Sequence, residues 1–222
     1  MSGPRIAPVP AGGAALDAAQ GSVAVEAEGV QLVVRPSAWR GIPSYLPGYV
    51  TPFHLLLVNG SPLRLQYDYA DLRLFDEQRF QYTALPPVEV GRLLRSGGSG
   101  ATDVVVATAS ASIPHRRRPV FRDPFWDPWW GPGWWGWPYY PAYAWPPSIE
   151  DVLTRALPVG ILEAGARTEG FVYFPRLRPE ARRLSFEMHY RLAGAARVFT
   201  LPFAVERAAR GDAPAVIATT PR

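Results

Sequence analysis

The sequence of 222 residues contains no cysteine and no lysine, and each absence excludes some chemistry. Without cysteine the chain can form neither disulfides nor cysteine-ligated zinc sites. All of its positive charge is arginine, a bias that a GC-rich genome explains. The formal net charge of +4 is spread along the chain, apart from a basic run at residues 115–118. Nucleic-acid binding needs a denser basic face, so we expect no nucleic-acid partner.

Sequence motifs for catalysis and for ligand binding are also missing. We find no Gly-x-Ser-x-Gly elbow, phosphate-binding loop or dinucleotide fingerprint. The three histidines, His54, His115 and His189, do not have the spacing of metal ligands. Acidic residues near Asp68 and Asp76 are explained by turn capping, because calcium requires a denser set of oxygen ligands. The sequence therefore predicts a protein that is not an enzyme, with no cofactor and no metal.

The chain has no apolar run of the length that spans a membrane, and its first residues lack the apolar core of a signal peptide. Residues 1–21 are rich in alanine, glycine and proline, which predicts a flexible N-terminal tether. Two interpretations stay open. The chain is a mature exported protein whose Met1 replaces a processed residue, such as a lipidated cysteine, or it is a cytosolic protein with a frayed N-terminus.

Alternation of apolar and polar residues predicts strands in most of the remaining chain. The segments are 22–28, 30–35, 49–58, 63–69, 72–75, 79–82, 167–174, 184–190 and 196–205. Short helices are predicted near 88–94 and 148–157. Seven to nine strands favour an all-β fold, an immunoglobulin-like antiparallel β-sandwich over residues 22–207. A parallel α/β fold would need repeated long helices. We expect an insert at about 101–147 and a frayed tail at 208–222.

Three segments resemble a known family. Residues 55–67, LLLVNGSPLRLQY, and 72–82, LRLFDEQRFQY, resemble the strand–turn–strand core of immunoglobulin-like accessory domains on bacterial surface proteins and lipoproteins. Residues 163–175, EAGARTEGFVYFP, are similar to a later strand of those domains. The resemblance implies a location in the bacterial cell envelope, either periplasmic or associated with the outer membrane. It implies no catalytic residues, because such domains share none.

The aromatic segment is the most unusual part of the sequence. Residues 125–145 contain seven of the eight tryptophans, interrupted by proline and glycine, so neither a helix nor a central strand fits there. So much apolar surface is expected to contact something. The predicted contact residues for a membrane, a partner or a glycan are Arg116, Arg117, Arg118, Arg122, Trp126, Trp129, Trp130, Trp134, Trp135, Trp137, Tyr139 and Tyr140.

Four interpretations of this segment stay open. Tryptophan and tyrosine favour the membrane interface, and the preceding arginines can meet anionic lipid phosphates. The segment can instead bind another envelope protein, or stack its rings on a glycan such as peptidoglycan. It can also fold back as a lid over one sheet. We expect a cell-envelope protein whose aromatic segment mediates adhesion to a membrane surface or envelope partner. The alternative is a carbohydrate-binding module.

Overall fold

Two antiparallel sheets form the core of the computed structural model, which describes residues 3–95 and 149–206. This arrangement confirms the predicted all-β sandwich with short helices. The described strands are β1 Arg5–Pro8, β2 Ala14–Asp17, β3 Ser22–Ala27, β4 Val30–Pro36, β5 Val50–Asn59, β6 Leu65–Tyr67, β7 Leu72–Asp76, β8 Gln81–Thr83, β9 Gly160–Leu162, β10 Arg167–Pro175, β11 Arg183–Leu192 and β12 Ala195–Glu206. The described helices are α1 Pro87–Arg95 and α2 Glu150–Thr154, with 3-10 turns at Leu46–Gly48 and Tyr69–Asp71.

The two sheets divide the strands unevenly. Sheet A runs β1-β12-β11, and the other edge of β11 is shared by the β6-β9 pair and the β7-β8 hairpin. Sheet B has the order β10-β5-β4-β3-β2. The β11-β12 hairpin turns at Ala193 and Gly194, whose φ angles are 48° and 86°. Glycine adopts the left-handed conformation without the steric penalty of a side chain, so the predicted turn at Gly194 is confirmed.

Alternating side chains of the two sheets meet in one main core. From sheet B, β4 and β5 contribute Leu32, Phe53 and Leu57, all fully buried. The Phe53 ring centroid lies 5.4 Å from that of Phe203 and 6.1 Å from that of Phe186, both from sheet A. Burying a large apolar side chain contributes about 1.5–3 kcal/mol, so this aromatic contact joins the sheets strongly. The alternation that predicts the strands also determines which residues fill the core.

Asn59, the one asparagine of the sequence, is fully buried at the end of β5. Its Nδ2 donates to the carbonyl oxygens of Leu63, Leu162 and Glu163, at 2.7, 3.0 and 3.1 Å. Its Oδ1 accepts from the backbone N–H and the hydroxyl of Ser61. This carboxamide therefore ties the turn after β5 to the β9-β10 connection. The sequence interpretation of residues 59–62 as a turn did not foresee that longer link.

The N-terminal region differs from the expected tether. Residues 5–8 form β1, which pairs with β12 from Arg5↔Glu206 to Pro8↔Phe203, and residues 14–17 form β2 against β3. Ile6 is buried, and its backbone N–H donates to the Ser37 Oγ at 3.0 Å. Alanine and proline do not prevent a strand at a sheet edge, where neighbouring strands provide the pairing. The prediction of a tether over residues 1–21 was therefore wrong for these two strands.

The strand count also differs from the expected seven to nine, because twelve strands occur within the described residues. The additional ones are β1, β2 and the three-residue β9, which pairs with β6. All three are short, so their sequences carry little alternation. The sandwich consequently begins at residue 5 rather than at residue 22. The predicted insert at about 101–147 and the predicted tail at 208–222 lie outside the described residues.

Candidate functional site

All twelve predicted contact residues lie between residues 96 and 148, outside the described residues. The structure describes the chain immediately before and immediately after residues 96–148. Helix α1 ends at Arg95, and α2 begins at Glu150. Both helices pack on the outer face of sheet B, and they contact each other. The ends of the segment therefore lie on one side of the sandwich.

A second apolar cluster lies beneath these helices, separate from the main core. Val90 and Leu93 of α1 and Val152 of α2 are buried in it. Its other buried members are Trp39, Leu46, Val50, Leu85, Phe171 and Tyr173. In α1 the spacing of Val90 and Leu93 places both side chains on one face, because residues three apart are neighbours on a helix. Burial of that face fixes α1 on the sheet.

Strand β10 forms backbone hydrogen bonds with the chain that precedes α1 and with the chain that follows α2. Before α1, the Leu85 N–H donates to the Tyr173 carbonyl oxygen at 2.7 Å. After α2, the Leu157 N–H donates to the Phe171 carbonyl oxygen at 2.9 Å, and the Phe171 N–H donates to the Arg155 carbonyl oxygen at 2.7 Å. The chain therefore leaves and returns beside residues 171 and 173 of one strand. These bonds occupy the part of the β10 edge around Phe171 and Tyr173 that does not pair with β5.

Trp39 is the aromatic centre of this cluster. Its ring centroid lies 4.9 Å from that of Phe171 and 6.1 Å from that of Tyr173, in edge-on contacts. Its indole Nε1 donates to the Pro43 carbonyl oxygen at 2.9 Å, across the cis Ile42–Pro43 peptide. The sequence places Trp39 in a proline-rich loop but does not show that it is buried. A buried tryptophan needs a partner for its N–H, which this loop supplies.

Asp151 links α2 to the same loop. Its Oδ2 accepts from the Ile42 backbone N–H at 2.7 Å and lies 3.4 Å from the Arg155 Nη2. Gly41 allows this approach, because a Cβ there would lie 2.7 Å from the Trp39 ring and 2.9 Å from the Asp151 Oδ2. A hydrogen bond from a backbone N–H to a charged acceptor is stronger than one to a neutral acceptor. The loop, α2 and the second apolar cluster are therefore fixed to one another.

Burial shifts the pKa values of two titratable side chains in this region. Burial raises the pKa of the Tyr173 phenol, whose hydroxyl donates to the Val152 carbonyl oxygen at 3.0 Å. Burial lowers the pKa of His54, Glu169 opposes that shift, and Arg35 acts with it. The His54 ring contacts the Phe171 ring edge-on at 5.0 Å between centroids. His54 therefore sits on the outer sheet face as a packed side chain.

The remaining polar candidates have structural partners. Asp68 and Asp71 form a capping box around the 3-10 turn at Tyr69–Asp71, as the turn interpretation predicts. Asp76 is buried and accepts from the backbone N–H groups of Gln78 and Phe80, at 3.0 and 2.9 Å. His189 lies on a strand and contacts Glu187 at 3.1 Å. Within the described ranges, we find no cluster of three or more acidic or histidine side chains placed to hold a metal ion.

No helix in the described part of the chain is long and apolar enough to cross a membrane. The candidate site is thus the outer face of sheet B, where β10, α1, α2 and the Trp39 loop hold both ends of the aromatic segment. We compared the chain with protein-family models, with curated proteins and with solved structures, and none of them matches it.

Proposed function

We propose that this chain is a non-enzymatic binding protein of the bacterial cell envelope. In this proposal the β-sandwich presents residues 116–147 for contact with a membrane surface or another envelope component. The observation that carries the proposal is the anchoring of both flanks to β10 at Phe171 and Tyr173. The resemblance of residues 55–67, 72–82 and 163–175 to accessory domains of bacterial surface proteins supports the location.

The anchoring matters because it fixes the places on the sandwich at which the chain on either side of residues 96–148 is held. The flanks at Leu85 and Leu157 are already hydrogen-bonded to the sheet, and α1 and α2 are packed on it. A contact made by the segment is also transmitted to the sandwich through β10, which pairs along its length with β5.

The composition of the segment supports an interfacial contact. Tryptophan and tyrosine rings partition to the headgroup region of a bilayer, and arginine is attracted to anionic lipids. Arg116, Arg117, Arg118 and Arg122 would contribute about 1 kcal/mol each near an anionic surface. That sum corresponds to roughly millimolar affinity, so the rings must supply the rest of a useful affinity.

Co-sedimentation with vesicles tests the proposal. The full chain is compared with a variant in which residues 119–147 are replaced by a short Gly/Ser linker, on phosphatidylglycerol-containing and on purely zwitterionic vesicles. We expect the full chain alone to sediment, more strongly with the anionic vesicles and less at high salt. A control variant with the four arginines changed to glutamine separates the charge contribution from that of the rings. Equal sedimentation of the full chain and the linker variant would refute a membrane contact.

The glycan alternative is distinguished by tryptophan fluorescence. Insertion of the rings into lipid shifts the emission to the blue in the presence of vesicles, whereas stacking on sugars gives a response to soluble peptidoglycan fragments. A protein partner would give neither response. If vesicles and glycan both fail and the linker variant also unfolds at a lower temperature, the segment has a structural role and the adhesion proposal falls.

A further inference from the structure

An open cleft of about 290 Å³ lies at the end of the sandwich where β5 begins. Three parts of the chain form its walls: the start of β1, the loop that carries Trp39, and the first residues of β5. The described lining residues include Arg5, Ser37, Trp39, Arg40, Ser44 and Val50. Its walls share Trp39 and Val50 with the second apolar cluster.

The lining is cationic. The described residues that line it include two arginines, Arg5 and Arg40, and no acidic residue. The Arg40 Nη1 donates to the carbonyl oxygens of Trp39 and Ser37, at 2.8 and 3.5 Å. These contacts hold the guanidinium beside the cleft and leave its Nε and Nη2 hydrogens without an acceptor among the described residues. Arg5 lies 3.6 Å from Glu206 in a solvent-exposed ion pair, and an exposed pair of this kind is weak.

Hydroxyl groups and apolar surface complete the lining. The Ser37 Oγ accepts from the Ile6 N–H, so its own proton remains available to a ligand. Ser44 is exposed, and no described residue hydrogen-bonds its hydroxyl. Buried Trp39 and Val50 provide the apolar part. The result is a set of donors next to an apolar surface, the usual composition of a small-molecule site.

Gly3 shapes one wall of the cleft. A Cβ at this position would overlap the carbonyl oxygen of Pro47, so only glycine allows the two backbones to approach so closely. The pairing of β1 with β12 continues directly from this contact. The cleft therefore exists because the N-terminal strand is part of the sandwich.

We propose that this cleft binds a small organic anion. A carboxylate or phosphate group is bound by the guanidinium groups of Arg5 and Arg40, and the apolar part of the ligand lies against Pro47 and Val50. Guanidinium groups suit both anions, because their planar fork matches two acceptor oxygens. The cleft excludes cations by the charge of the same two side chains. This binding does not depend on the proposed adhesion through the aromatic segment.

Isothermal titration of the full chain with benzoate, phenyl phosphate and benzylammonium tests the proposal. The three probes share a ring and differ in charge. We expect saturable binding of at least one anion, weaker binding at high salt, and no binding of benzylammonium. The comparison of benzoate with phenyl phosphate decides between the two anionic groups. Absence of saturable binding by both anions would overturn the proposal.

Matched variants locate the site. Arg40→Gln and Arg5→Gln are each expected to weaken anion binding about tenfold, the usual effect of losing a charge-assisted hydrogen bond. Arg64→Gln is the control, because Arg64 is an exposed, ion-paired arginine near the other end of β5. Circular dichroism confirms that each variant is folded. An equal loss of binding in Arg64→Gln would show that the anions respond only to overall charge and would refute the cleft.

Discussion

Replacement of Asn59 by alanine should destabilise the sandwich more than any surface change. The Asn59 carboxamide makes five hydrogen bonds, three as donor and two as acceptor, and the residue is fully buried. Two of its acceptors, Leu162 and Glu163, are distant in sequence and lie in and just after β9. Removing the carboxamide therefore leaves residue 59 joined to the β9-β10 connection only through its backbone, whose N–H donates to the Ala166 carbonyl oxygen and whose carbonyl oxygen accepts from the Gly165 N–H.

The expected loss in the free energy of unfolding follows from the number of hydrogen bonds that the Asn59 side chain donates. A hydrogen bond contributes about 1 kcal/mol net, and a buried partner left unsatisfied costs about 1–3 kcal/mol. The three carbonyl oxygens that Asn59 satisfies lose one donor each, although the Leu63 oxygen keeps the Ser61 hydroxyl at 3.3 Å and the Glu163 oxygen keeps the Ala166 N–H at 3.1 Å. We expect Asn59→Ala to lower the free energy of unfolding by about 3–4 kcal/mol. Asn59→Asp should cost at least as much, because a carboxylate would face the same carbonyl oxygens without a proton to donate.

Urea unfolding followed by far-UV circular dichroism measures this difference. A loss of about 3 kcal/mol moves the unfolding midpoint down by about 1–2 M urea. Ser61→Ala is the matched control, because it removes the hydroxyl that donates to the Asn59 Oδ1 and leaves the backbone N–H of residue 61 and the three donated bonds in place. Its expected cost is about 1 kcal/mol. A loss below 1 kcal/mol in Asn59→Ala, or a cost equal to that of Ser61→Ala, would refute the reasoning.

Two further predictions concern the Trp39 loop and pH. Gly41→Ala should lower the free energy of unfolding by about 1–3 kcal/mol, because its Cβ would overlap the Trp39 ring and the Asp151 Oδ2. Gly12→Ala is the control, since nothing lies within 4 Å of the added Cβ, and thermal unfolding of both variants checks the difference. The Glu77 carboxyl accepts hydrogen bonds from the backbone N–H groups of Glu77 itself, Arg183 and Arg182, and these bonds lower its pKa. These bonds to the ionised carboxyl stabilise the folded protein at pH values above the pKa that Glu77 has in the unfolded chain. The stabilisation is lost as pH falls through the pKa that Glu77 has in the folded protein. The stability difference between wild type and Glu77→Gln should therefore shrink on acidification, and a difference that stays constant from pH 7 to about pH 3 would contradict this assignment.

The sequence predicts the long strands well, because buried and exposed positions in them coincide with the alternation of apolar and polar residues. In β11, alternate residues from Leu184 to Leu192 are buried, and the same alternation is visible in the chain. The helix near residues 88–94 is also predicted correctly, since α1 follows Pro86 and carries its apolar residues on one face. Such local signals need no knowledge of the partner strand.

The short strands were missed for the opposite reason. The sequence of β1 contains one large apolar residue, Ile6, which is buried only because β12 and Ser37 lie beside it. The strand β9 is three residues long and is defined by its pairing with β6. These strands are stabilised by contacts with residues that are distant in the sequence, so no pattern within the strands themselves predicts them.

The amino-acid sequence is sufficient to predict the β-sandwich, the apolar faces of its long strands and the concentration of aromatic residues between the two helices. Tertiary structure alone decided that Leu85 and Leu157 meet on β10, that Trp39 is buried beneath α1 and α2, and that Arg5 and Arg40 line one cleft. The physical reason is the range of the interactions. Alternation of polarity acts between neighbours in the chain, whereas these three features depend on residues that only the folded backbone brings together.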